Sequence, residues 1–150
     1  MLKRARIIAD FQFGRGAGDE LFPDDTTFKL SNTRRLRYLY SGTERIATVR
    51  ANDGLLTLSM IGARRLLAFF APPRLRVTVS DDAAPFVVKG GNVFAKHVLG
   101  VDPDIRAGEE VLVVNGQDGL IATGKAVLAP EEMLQIKRGI AVQTRKAAEH

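Results

Sequence analysis

The residues of this 150-residue chain that could do chemistry are arginines and glycines rather than nucleophiles or metal ligands. Arg34, Arg35, Arg37, Arg45 and Arg50 crowd one stretch of the first half. Arginine forks onto phosphate with two hydrogen bonds and stacks on bases, where lysine acts as a point charge. Leu36-Arg37-Tyr38-Leu39-Tyr40 and Ile46-Ala47-Thr48-Val49-Arg50 read as strands joined by a turn at Ser41-Gly42-Thr43-Glu44. With Leu36 and Tyr38 on one face, the period of two puts Arg35 and Arg37 on the other, a basic stripe suited to a phosphate backbone. The alternative is a solvated face. A second spot is Gly90-Gly91-Asn92, which follows a helical segment. A glycine pair there lets the backbone approach a phosphate or an unpaired base, with its N–H groups free to donate. The same pair also serves as a plain helix C-cap with a positive φ. Lys89, Lys96 and Arg138 supply cations around it.

What is missing narrows the function. The chain has no cysteine and no tryptophan, and its only histidines are His97 and His150. Disulfides and thiolate metal sites are excluded, a histidine zinc site lacks ligands, and a Ser-His-Asp triad could use only His97. Asp24-Asp25 opens a strand and Asp81-Asp82 a helix, with no nucleophile or base beside either. Gly14-Arg-Gly-Ala-Gly18 lacks the Gly-Lys-Ser/Thr ending of a phosphate-binding loop and follows a helix rather than a strand. No catalytic residue, metal or cofactor is assigned. The net charge of +5 lies wholly in residues 1–72, where 12 Lys/Arg face seven Asp/Glu, against ten and ten in residues 73–150. No apolar run approaches the ~20 residues of a membrane helix. The opening residues are too quickly polar for a secretory signal, so a cytoplasmic protein is expected.

Two domains must position these residues. Phe70-Ala71-Pro72-Pro73-Arg74 cannot continue a helix and coincides with the change in charge, which divides the chain into 1–72 and 73–150. The first part reads as an α+β domain with a small antiparallel sheet. It comprises a helix over 2–12, a flexible glycine loop over 13–19, strands at 27–31, 36–41 and 45–50, a turn at Asn52-Asp53-Gly54 into a strand at 55–59, and a helix over 61–70. The second part opens with a strand at 75–79. Ser80-Asp81-Asp82 then caps a helix over 83–89. Strands at 93–98 and 110–115, a hairpin turn at 116–119, a strand at 120–128, a helix over 130–136 and a strand at 140–145 follow. That order predicts a closed or nearly closed β-barrel with short helices.

The second part resembles a PUA domain from start to finish. The matching pieces are Phe86-Val-Val-Lys-Gly-Gly-Asn-Val-Phe-Ala-Lys96, Glu110-Val-Leu-Val-Val-Asn115, Ala122-Thr-Gly124, Glu132-Met133 and Lys137-Arg-Gly-Ile-Ala-Val142. The first part resembles the domain that precedes PUA at the C-terminus of archaeal, archaeosine-forming tRNA-guanine transglycosylases. Its matching pieces are Ala9-Asp-Phe-Gln-Phe-Gly14, residues 31–37, Arg50-Ala-Asn-Asp-Gly54, Leu58 and Gly62-Ala63-Arg64. Where that family has a small residue, usually glycine, near position 34, this chain has Asn32-Thr33-Arg34-Arg35, and His97 stands where an aromatic is expected.

The resemblance implies a division of labour. The PUA domain takes the acceptor stem and 3′ end of tRNA through its helix-to-strand loop, here Gly90-Gly91-Asn92, and its neighbour helps present a remodelled D-arm. The family's catalytic barrel, paired aspartates and cysteine-rich zinc site lie upstream, and a (β/α)₈ barrel needs roughly 200 residues or more. The chain therefore looks like the split C-terminal portion, or a paralogous accessory subunit, of such an enzyme, not catalytic on its own. Its expected partners are tRNA and a catalytic transglycosylase or tRNA-modification subunit, with no membrane. Two other classes stay open at this point: a translation or ribosome-assembly adaptor, and an enzyme with a site around His97 and Asp53.

Overall fold

In the computed structural model, which describes all of residues 1–150, the chain folds as two compact units, Met1–Phe69 and Phe70–His150. The first begins with α1 (Leu2–Phe13), which buries Ala5, Ala9 and Phe13, one stripe at helical spacing. Gly14 ends it at φ 128. The expected flexible loop over 13–19 is not there. Instead α2 (Ala17–Leu21) follows at once, with Gly18 buried inside it. A β-carbon on Gly18 would stand 2.3 Å from the Arg6 carbonyl oxygen, so this glycine lets two short helices touch backbone to backbone. The Gly18 amide donates to Asp10 Oδ1 at 2.7 Å, which fixes the pair.

Strands β1 (Thr27–Leu30), β2 (Leu36–Ser41), β3 (Glu44–Val49) and β4 (Leu56–Leu58) form an antiparallel meander in sequence order. Helix α3 (Met60–Phe69) packs on it, with Gly62 against the Ile46 carbonyl. The Gln12 side chain ties α1 to the sheet through both amide atoms: Nε2 donates to Leu56 O at 2.8 Å and Oε1 accepts from Leu56 N at 2.7 Å. One side-chain amide thus does what a neighbouring strand would do.

The expected alternation in β2 fails at one residue. Lys29 pairs with Tyr38 but Leu30 pairs with Leu36, so Arg37 is a bulge residue with no partner on β1. The bulge resets the faces. Leu36 and Leu39 are both buried, while Tyr38 and Tyr40 stay half-exposed with ring centroids 6.4 Å apart. Leu36 and Tyr38 therefore do not share a face as expected.

The second unit is a nearly closed barrel. Its strands are β5 (Arg76–Val79), β6 (Val93–Phe94), β7 (Val98–Val101), β8 (Glu110–Val114), β9 (Leu120–Ala126) and β10 (Ile140–Ala147), in the spatial order β6-β10-β9-β8-β5-β7. All pairings are antiparallel except β5 with β8. The core is apolar and made mostly of small β-branched residues, Val77, Val79, Val93, Val111, Val113 and Val142 among them. Two charged pairs sit in its wall. Buried Arg76 grips Asp118 with two bonds of 2.9 and 3.0 Å, and Arg145 reaches buried Glu110.

Two expectations for this unit are corrected. The single strand over 93–98 is broken by a 3-10 turn at Ala95–His97. The chain has to leave β10, which it pairs through Phe94 and Ile140, and cross to the free edge of β5, which it pairs from Val98. Nor does Ser80-Asp81-Asp82 cap a helix with its side chains. Helix α4 (Ala84–Val87) starts later, and only the Ser80 carbonyl serves it, accepting from the Ala83 and Ala84 amides at 3.1 Å each. Helix α5 (Pro130–Gln135) begins with proline as expected, and Glu132 closes it by accepting from the Ala129 amide.

Candidate nucleic-acid interface

In the first unit the arginines converge. An open cavity of about 960 Å³ is walled by Arg4 of α1, Arg35 and Arg37 at the start of β2, and Arg50 just after β3. Ile8, Leu36 and Val49 add apolar surface, and the Asn52-Asp53-Gly54 turn completes the lining with Thr33 and Ala51. Three of the four arginines expected as RNA ligands in this unit line it. Arg34 is exposed outside the lining.

The four guanidinium groups in the cavity are not equivalent. Arg50 forks onto Asp53, Nε to Oδ1 at 3.1 Å and Nη2 to Oδ2 at 2.6 Å. Asp53 also accepts the Leu55 amide at 3.0 Å. The Leu55 amide first, and then Arg50 by hydrogen bond and by charge, hold the Asp53 carboxyl below the ordinary carboxylate range. Arg37 donates to the Val49 carbonyl at 3.1 Å. Arg4 and Arg35, both exposed, have no such partner, so they are the cations a ligand would meet first.

Arg4 and Ile8 were not singled out from the sequence, although their i,i+4 spacing puts them on one helix face. The only signal was a basic residue one turn before an aliphatic one on a helix with no assigned role. Arg34 stands at a turn position that favours glycine. Its φ is 60, the left-handed region, with its amide donating to the Ser31 carbonyl at 2.9 Å. On the sheet's outer side, Arg45 lies over the Tyr38 ring at 4.3 Å, already stacked within the protein.

In the second unit the glycine pair proves to be a helix cap. The Gly91 amide donates to Phe86 O and the Gly90 amide to Val87 O, each at 2.9 Å, and Gly90 has φ 107. These are the paired bonds of a Schellman ending. The amides expected to be free for RNA are therefore engaged inside the protein. Asn92 is also occupied in part: its Oδ1 accepts the Thr144 amide at 3.0 Å, while Thr144 Oγ1 donates to Gly91 O at 2.8 Å. The imidazole of His150 lies against Gly90, 2.8 Å from where its β-carbon would be.

What this end of the barrel offers outward is side chains. Lys89, Lys96 and Arg138 are exposed, and Phe86 and Phe94 are 71% and 46% exposed. The Ala95 amide donates to Gly139 O at 2.9 Å, which brings the backbones beside Lys96 and Arg138 together. His97 is half-buried, with Nδ1 3.4 Å from Ser80 Oγ and its carbonyl accepting the Ser80 amide. Asp53 and His97 each have their own partners, in different units.

Residues 3–73 match the patch-forming domain C2 of tRNA-guanine transglycosylase and residues 75–147 match the PUA domain. The two matches lie in tandem and together take up nearly the whole chain. The chain's relatives include the archaeal tRNA-guanine(15) transglycosylases. It is 50% identical to the enzyme of Methanothermobacter thermautotrophicus over 97% of its own length and 22% of the enzyme's. It is 46% identical to that of Pyrococcus furiosus over 95% and 24%. The matching region is their C-terminal part, so the chain spans less than a quarter of the length of these two relatives. Among solved structures, a hypothetical protein from Pyrococcus horikoshii superposes with a TM-score of 0.78 at 21% identity, over 99% of this chain and 90% of that one. A conserved PUA domain protein from Thermoplasma acidophilum gives 0.68 at 20%, over 99% and 88%. Both share the fold. No helix here is long and apolar enough to cross a membrane.

Proposed function

We propose that this chain is a non-catalytic tRNA-binding component of archaeosine-type tRNA-guanine transglycosylation, holding tRNA for a catalytic transglycosylase subunit. The observation that carries the reading is the 43–50% identity to tRNA-guanine(15) transglycosylases along 95–98% of the chain. The unpartnered arginines of the first unit support it, because such groups suit a phosphate backbone. In this reading Lys89, Lys96 and Arg138, with Phe86 and Phe94 beside the Gly90-Gly91-Asn92 cap, meet the acceptor stem and 3′ end. Arg34, Arg35, Arg37 and Arg50 hold phosphates elsewhere on the tRNA.

Filter binding of tRNA across a salt series tests the reading. Affinity is expected to fall steeply with salt, by about 0.9 in log–log slope per phosphate contact. Affinity flat with salt, or no binding, overturns it. Labelled-guanine exchange tests the non-catalytic part: no exchange with this chain alone, and exchange raised when it is added to a transglycosylase catalytic domain. Exchange by this chain alone would make it an enzyme. Trimming the 3′ CCA should weaken binding by the wild type and leave Lys89→Ala with Lys96→Ala nearly indifferent.

A further inference from the structure

The cavity of the first unit is chemically divided in a way that a seat for phosphate alone would not be. Arg4 and Arg35 bring exposed cationic heads to its lining. In the same lining the Asp53 carboxylate is fixed by Arg50 and the Leu55 amide, next in sequence to exposed Asn52. A carboxylate held in its ionised form repels phosphate, so an anion settles on Arg4 and Arg35, whose side chains have no partner within the protein. Asp53 and Asn52 then face groups that can donate hydrogen bonds. Ile8, Leu36 and Val49 add aliphatic surface to the lining, which suits a flat apolar group. The backbone of an RNA duplex is a ridge of phosphates and has no donor-bearing flat group to place there. The volume of about 960 Å³ lies at the upper end of the range of about 300–1,000 Å³ typical of small-ligand pockets.

We infer that this cavity takes one unpaired nucleotide of an RNA strand, its phosphate on Arg4 and Arg35, its base over Ile8 and Leu36, and its ribose or base donors toward Asn52 and Asp53. The inference rests on the RNA-binding reading above and deepens it. Arg4 and Ile8 become ligand-contacting residues. Single-stranded or bulged segments are then preferred over regular duplex, because only an unstacked base can enter.

The test compares a short RNA duplex with the same duplex carrying a one-nucleotide bulge, by fluorescence anisotropy on the full chain, with tRNA measured alongside. Wild type should bind the bulged duplex about tenfold or more tightly than the paired one, the scale of one stacked base. Arg4→Ala with Arg35→Ala should reduce that preference to less than about threefold, and Asn52→Ala should lower it without changing affinity for the paired duplex. Arg64→Ala, loss of one charge on α3 outside the cavity, should keep the full preference. Tight tRNA binding with no preference for the bulge overturns the inference and leaves the RNA-binding reading standing. Absence of tRNA binding removes both. Displacement of the bulged RNA by micromolar adenosine monophosphate would identify a site for free nucleotides and overturn the strand-borne form.

Discussion

The two regions that sequence marked for RNA make opposite use of their polar groups. At the Gly90-Gly91 cap the backbone amides bond to Phe86 and Val87, and Asn92 braces β10, which leaves flanking lysines, an arginine and phenylalanines facing outward. In the cavity of the first unit, two arginines are fixed by Asp53 and the Val49 carbonyl while Arg4 and Arg35 remain unpaired. A motif can look built for a ligand because its groups are needed for folding. The more telling sign is a charged group left over once folding has been satisfied.

The sharpest break of that comparison is charge reversal at the unpaired arginines. Arg4→Glu with Arg35→Glu should lower tRNA affinity on the order of 100-fold at low salt, and the salt slope should fall by about two. The melting temperature should stay within a degree or two, because neither side chain holds the fold. A large drop in melting temperature would place them in the structure instead. Next comes Gly91→Ala, where a β-carbon would meet the Phe86 carbonyl oxygen at 2.9 Å. It should cost about 1–3 kcal/mol of stability in denaturant unfolding. Gly91→Glu is for the same reason a poor probe of RNA contact: it disturbs the cap before any ligand arrives.

A smaller effect is expected at Arg34, a cation held at φ 60. Arg34→Gly should leave stability unchanged or raise it by up to about 1 kcal/mol by relieving left-handed strain. It should weaken tRNA binding a few-fold by loss of one charge. A clear loss of stability would mean the side chain, not the turn, is what matters there. The smallest effect concerns Asp53. Its folded pKa lies below its unfolded one, so its contribution to stability is present above the unfolded value of about 3.9 and is lost as pH falls through the folded value. Asp53→Asn should therefore differ from wild type in pH dependence only at acid pH, below about 4. A difference centred on neutral pH would assign the titration to another group.

Much of the fold was legible because strong local signals agreed with the final packing. The strands at 36–41 and 110–114 are rich in aromatic or branched apolar residues, and the hairpin turns and proline-led α5 carry glycine or proline at the required places. The misses share one cause: a tertiary contact decided the local state. Gly18 reads as a loop residue until Arg6 is packed against it, and residues 95–97 read as strand until the chain must change partners. Arg37 looks like one step in an alternation, and only the β1 register shows it to be a bulge. The cavity was half legible. Arg35, Arg37 and Arg50 lie close in sequence, whereas Arg4 and Ile8 come from a helix more than twenty residues away, and no periodicity in the sequence joins them.

The parallel pairing of β5 with β8 has a consequence in time. Arg76 lies opposite Leu112, and the residues between them include α4, β6 and β7. The β8–β9 hairpin, joined by a tight turn at 115–119, can close locally, whereas β5 must close a longer loop to reach β7 and a longer one still to reach β8. During synthesis β5 is the first strand of the barrel to be made, yet it has no partner on β8 until residues 112–114 exist. Pulse-labelling hydrogen exchange during refolding should accordingly protect the amides of β8 and β9 before those of Val77 and Thr78.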